Sequence, residues 1–198
     1  THDQSSAASD VYKRQSFRLP REWGPEDDED QNSPRLYLKN SIDLDLPISG
    51  GWGYSIEDCV IIDKTDPTVD QSLPFDGTKV EQTFIEKRIY AELIVFRQRG
   101  DALSGINWKQ NSQLMKEIDD RKFDVINFRV SAFTDRDWEF LKADWESNNS
   151  YADIEEGKER HLRERQLRMC FYDTQYWFDI TSFYGQPVIF GRKKETKH

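Results

Sequence analysis

INWKQNSQLMKEIDDRKFDVINFRVSA, from Ile106 to Ala132, is the stretch on which the fold turns. Ile106, Trp108, Leu114 and Ile118 share one phase of a two-residue period, as expected of a strand with one face buried. After Asp119, Asp120 and Arg121, a second alternation begins. Asp124, Ile126, Phe128, Val130 and Ala132 take one face, and Phe123, Val125, Asn127, Arg129 and Ser131 the other. Two such runs joined by a short polar break predict an antiparallel hairpin.

Working outward toward the C-terminus, Thr134 with Asp137 three residues on reads as a helix start of the capping-box type. Trp138, Leu141 and Trp145 then share a helical face. Asn148 and Asn149 stop that helix, and a second is expected from about Tyr151 to Met169. Its first turn is acidic (Asp153, Glu155, Glu156) and its later turns basic (Lys158, Arg160, Arg163, Arg165, Arg168), which complements the helix dipole. Its apolar stripe, Ile154, Leu162 and Met169, is thin. A helix so patterned packs shallowly or waits for a partner. Tyr176, Phe178 and Ile180 predict a further strand, with a short one at Val188 to Phe190 and a basic tail over 192–198.

Toward the N-terminus, Leu36, Leu38, Ile42, Leu44 and Leu46 fall on one phase of a two-residue period and read as a strand ended by Pro47. Ser49 to Gly53 form a turn, and another strand runs through Tyr54, Ile56, Val60 and Ile62. A loop spans Asp63 to Gly77. Val80, Phe84, Ile89 and Leu93 then recur at helical spacing, with Leu93 to Arg97 open to either helix or strand. The whole predicts an α+β fold: a single domain over 35–191, with a mainly antiparallel twisted sheet and two or three helices packed on one face. The preceding 1–34 reads as a disordered lead-in, with an acidic run from Glu26 to Asp30. Within it SSAASDVYKRQ, Ser5 to Gln15, resembles a translated sequencing-adaptor string. It is set aside, and the native start is expected elsewhere.

The chain has 198 residues and a formal net charge of -9, with 13% aromatic and 33% charged residues. So acidic a protein is repelled by phosphate backbones and anionic lipid. The expected partner is a basic protein, with no nucleic acid and no membrane. Two cysteines, Cys59 and Cys170, do not make a disulfide framework, and reduced thiols in a cytoplasmic protein are expected.

The search for chemistry yields little. His161 is the one histidine away from the chain ends, and mid-helix it reads as a surface residue. Gly50, Gly51 and Gly53 follow a strand without the helix or lysine that a phosphate loop needs. Glu156-Gly157-Lys158 has the look of a nuclease motif but opens a helix. Asn148-Asn149-Ser150 matches a glycosylation acceptor by chance. No catalytic set, cofactor or metal is expected. The most suggestive surface is the loop aspartates Asp63, Asp66, Asp70 and Asp76, with Trp52 and Tyr54 as neighbouring aromatic anchors; the plain alternative is a solvated loop beside a core tryptophan.

LPISGGWGYSIEDCVIID (Leu46 to Asp63), FIEKRIYAELIVFR (Phe84 to Arg97) and WFDITSFYG (Trp177 to Gly185) resemble phrases in uncharacterised bacterial proteins, some of them similar to the immunity proteins of contact-dependent toxin systems. The phrases cover about a fifth of the chain. The resemblance implies a protein-binding module, an immunity-type inhibitor of a basic toxin domain. The alternatives are a carboxylate- and divalent-metal-dependent hydrolase, or a structural interaction protein.

Overall fold

The computed structural model describes residues 33–97, 100–152 and 154–185. Four α-helices and a five-stranded, mostly antiparallel sheet make up an α+β fold. Helix α1 (Pro34–Ile42) is followed by β1 (Ile48–Gly50) and β2 (Val60–Ile62). Helix α2 (Gly77–Tyr90) runs into a π-helical turn (Ala91–Val95). The hairpin β3 (Leu103–Ile118) and β4 (Arg121–Thr134) comes next, then α3 (Asp135–Ser147), a 3₁₀ turn (Asn149–Tyr151), α4 (Glu155–Arg168) and β5 (Cys170–Asp179). The strand order is β1-β2-β5-β4-β3. Among the described residues no helix is long and apolar enough to cross a membrane.

The hairpin forms as its sequence dictates. Asp119 and Asp120 adopt φ of 50° and 62°, the left-handed pair of a type I′ turn whose twist matches that of the strands. Along β4 the residues Phe123, Val125, Phe128 and Val130 are buried. β3 ends the sheet as an edge strand, and most of its residues are exposed, Leu114 and Met115 included.

By contact density the chain divides into two compact units. The described part of one falls within 88–113 and 126–175. Its organising feature is a buried ion pair. Arg88 and Glu92, both wholly inaccessible, meet at 2.7 Å. Arg88 also donates to Thr174 Oγ1 at 3.3 Å, and Tyr172 donates its hydroxyl to Glu92 at 3.1 Å. Thr174 and Tyr172 share one face of β5, two residues apart. At the opposite flank of that strand, Gln175 donates to Asn127 and Arg129 holds Asp173 at 2.7 Å. These cross-strand pairs run in opposite senses along β4 and β5, as antiparallel neighbours must.

The described part of the other unit falls within 28–87, 114–125 and 176–198. Here β1 pairs antiparallel with β2, and β2 pairs parallel with β5, Val60 opposite Phe178. Phe84 packs edge-on against Phe178 at 5.8 Å, and Trp52 lies between Phe84 and Tyr37. Cys59, Phe123 and Val125 form a second cluster against Ile56, Ile61, Ile118 and Trp177. Glu81 is buried in α2, and burial first, then the charges of Asp124 and Asp76, push its carboxyl up to about 8.

Several expectations are corrected. Leu36 to Leu46 is not a strand. Ser33 accepts the Leu36 N–H, Pro34 sits in the first turn and Asp43 ends the helix at φ 53°; the Ser-Pro start outweighs the alternation. Leu36 and Ile42, read as inward, are exposed, whereas Tyr37 is buried. In the second strand only Val60 to Ile62 pairs. Tyr54 and Ile56 lie in a turn closed by Asp58, whose carboxylate accepts the Trp52 and Tyr54 N–H groups. Leu93 to Arg97 is neither an ordinary helix nor a strand, because a π turn holds 91–95. Helix α4 starts at Glu155, since Asn149, Ser150 and Tyr151 all take positive φ. β5 starts six residues before Tyr176. The predicted strand at Val188, the 192–198 tail, the Glu26 to Asp30 run and the Ser5 to Gln15 string lie outside the described residues.

Two stability predictions follow from the buried charges. Arg88→Met should cost about 3–5 kcal/mol in urea denaturation, because it strands Glu92 without its cation. The neutral form of Glu81 is favoured by folding, so its contribution is full below the unfolded value of 4.5 and is lost as pH rises through about 8. Glu81→Gln should therefore flatten the decline in urea midpoint between roughly pH 5 and 9. An unchanged pH profile would refute this account of Glu81.

Candidate functional site

Helices α3 and α4 fold into a helical hairpin within one unit. Thr134 caps α3 as its sequence predicts: its Oγ1 accepts the Asp137 N–H at 3.1 Å and donates to the Asp137 carboxylate at 2.8 Å. Leu141 is buried, and Trp138 and Trp145, three before and four after it, flank it half-buried. On α4 the inward face is not the apolar stripe that the sequence suggested. Ile154 and Leu162 are 55% and 48% exposed, while His161 is 5% exposed.

His161 is therefore no surface residue. Its Nδ1 lies 2.7 Å from Asp144 Oδ2. Tyr151 donates its hydroxyl to the same carboxylate at 2.9 Å, and Arg160 donates to the Tyr151 oxygen at 3.2 Å. The His161 hydrogen bond holds the Asp144 carboxyl below its usual range. With Asp144 ionised, Nδ1 carries the proton, and Nε2 is the nitrogen left for other contacts. The imidazole also packs on the Trp145 and Tyr151 rings at 5.1 and 5.9 Å.

Above this network lies a groove of about 300 Å³ lined by Trp138, Leu141, Lys142, Trp145, Glu146, His161, Leu162 and Arg165. Its two ends differ. At one end the Arg165 guanidinium lies over the rings of Phe133 and Trp138, at 5.2 and 5.8 Å. Arg165 has no carboxylate partner among the described residues. At the other, Glu146 stands near Trp145 and makes no ion pair among the described residues; Lys142 between them is paired with Glu139 at 2.6 Å. Away from the groove, Arg168 ties α4 to Asp137 of α3 at 2.7 Å and covers Phe140 at 4.1 Å. Geometry of this kind can hold an apolar group and place charges at either end of it. A His–Asp pair orients an imidazole for proton transfer, but that chemistry also needs a nucleophile. Burial pushes up both thiols, Cys59 and Cys170, so neither is an activated thiolate. Among the described residues no group of three or more His, Cys, Asp or Glu is placed to hold a metal ion.

The six residues singled out from sequence all lie in the other unit. Asp63, Asp66 and Asp70 each accept from a Thr or Ser two residues on (Thr65, Thr68 and Ser72), and Asp76 accepts the Lys79 N–H at the start of α2. Asp66 also forms a forked pair with Arg35, which draws its carboxyl far below the usual range. These are Asx turns, legible as a repeated Asp-x-Thr/Ser spacing. Trp52 is half-buried against Tyr37 and Phe84, and Tyr54 is half-buried in the Asp58 turn. The loop is thus a rigid acidic ledge. The groove was missed because its cue is spatial: Trp138, Leu141 and Trp145 were visible as a helix face, but not the histidine and arginine of α4 that close it.

No protein-family model, curated protein or solved structure matches this chain.

Asp144→Ala should lower stability by about 1–3 kcal/mol in urea denaturation, since it strands His161 Nδ1 and the Tyr151 hydroxyl. It should also shift the emission of neighbouring Trp145. Lys142→Ala, which removes an exposed pair, should change stability by less than about 0.5 kcal/mol. Equal effects from the two would show that the buried network does not hold the hairpin.

Proposed function

We propose that this protein is a protein-binding module that takes an apolar side chain of a basic partner into the groove between α3 and α4. The observation that carries the reading is the groove itself. Trp138, Leu141, Trp145 and Leu162 supply aromatic and aliphatic wall on a surface open to solvent, and indoles are favoured anchors at protein interfaces. On the α3 side of it, Asp135, Glu139 and Glu146 outnumber Lys142, which favours a basic partner on that side, while Arg165 is the cation on the α4 side.

The net charge of -9 supplies a long-range field of the same sign. In this reading Asp63, Asp70 and Asp76 steer a cationic partner rather than grip it, Asp66 being held by Arg35. Their turns already fix them, so little conformational entropy is lost as the partner approaches. The finer form of the proposal is an immunity-type inhibitor of a basic bacterial toxin domain, acting in the cytoplasm.

The deciding experiment pairs genome context with calorimetry. The reading frames beside the gene should include a large secreted protein, and its C-terminal domain should bind the intact chain at micromolar affinity or tighter. Leu162→Glu, at an exposed groove position, should weaken that binding by about tenfold or more while leaving the thermal midpoint unchanged. A metabolic operon around the gene, or affinity indifferent to Leu162→Glu, would overturn the proposal.

A further inference from the structure

The two ends of the groove carry different chemistry, and that difference narrows its occupant. A space of about 300 Å³ suits one or two residues, not the girth of a helix. One end offers Arg165, held by stacking on Phe133 and Trp138, with its donors unclaimed by any described carboxylate. Stacking fixes a guanidinium without using its N–H groups, which leaves the planar fork free to meet a carboxylate. Leu141, Leu162 and the two indoles enclose the space between that end and Trp145. Trp138 and Trp145 are two helical turns apart, roughly 10 Å, about the span of one extended apolar residue and its neighbour.

Resting on the protein-binding reading above, we infer that the groove recognises the C-terminal residue of the partner: a large apolar side chain against Trp138, Leu141, Trp145 and Leu162, with its free α-carboxylate on Arg165. Few other protein features place a carboxylate and an apolar side chain on a single residue. Glu146 at the far end then faces the basic chain that leads to that terminus. The His161 Nε2 is placed to bond a backbone group of the same segment, and Asp144 positions the ring.

The test uses the full chain and small probes, N-acetyl-phenylalanine and N-acetyl-leucine as free acids and as amides, followed by tryptophan fluorescence and NMR. Dissociation constants on the order of millimolar are expected for the acids, with the amides weaker by about tenfold. Arg165→Gln should erase the difference between acid and amide, whereas Arg165→Lys should keep part of it and confirm that the fold survives substitution there. Acid and amide binding alike, or neither binding, would overturn the inference. The partner domain separates this inference from the reading it rests on. If amidating the partner's terminus leaves an affinity that Leu162→Glu still abolishes, the groove binds protein but the terminal carboxylate is wrong. If the free acids bind selectively and no partner domain does, the chain-terminal occupant is overturned together with the protein-binding reading, and the groove is a site for small acids.

Discussion

Burying an arginine and a glutamate with no access to water is expensive, and the unit built around Arg88 and Glu92 is shaped by the need to offset that cost. The pair sits one turn apart where α2 passes into the π turn. A π turn adds a residue to the helical circuit, and Phe96 N–H reaches back to the Ala91 carbonyl at 2.9 Å. Ala91, Glu92 and Leu93 are buried in succession along this turn. Tyr172 and Thr174 then fix where β5 lies, because their polar atoms must meet the buried charges. Once β5 is fixed, its neighbour β4 and the helix α4 that precedes it in sequence are constrained as well.

The fold was readable wherever side-chain period and local backbone signals agreed. The hairpin had both alternation and a break of the right length; α3 had a cap and a helical face. Where they disagreed, alternation misled. Leu36 to Leu46 carries a two-residue rhythm, yet Ser33 and Pro34 commit the backbone to a helix before that rhythm can act. The start of α4 was misplaced because nothing in Asn149-Ser150-Tyr151 announces three consecutive left-handed residues; tertiary contacts of Tyr151 with Trp145, His161 and Asp144 hold them there. The site was legible only in halves. One helix face could be seen in α3, but the polar inner face of α4 looked like solvent, since a histidine, an arginine and a glycine do not form an apolar stripe.

Polar groups therefore do different work in the two units. Around 63–76, Asp63, Asp70 and Asp76 bond to nearby backbone N–H groups, and Asp66 is held in addition by Arg35 of α1. In the α3–α4 hairpin, Asp144 turns inward and gathers a histidine and a tyrosine, and the charges at the groove are left facing each end. Rigidity comes from short local bonds in the first case and from a buried network in the second. In both, a surface with fixed charge positions results, as selective association requires more than does overall adhesion.

The parallel pairing of β2 with β5 has a consequence for the order in which this protein comes into being. Val60 waits for Phe178, more than a hundred residues later in the chain, whereas β3 and β4 meet across two residues. Local hairpins close in microseconds, and distant pairings must first overcome the entropy of a long loop. During synthesis β2 emerges early with its strand edge unmatched, and it stays so until β5 has left the ribosome. The N-terminal half of the sheet is thus completed by the last described strand to be made.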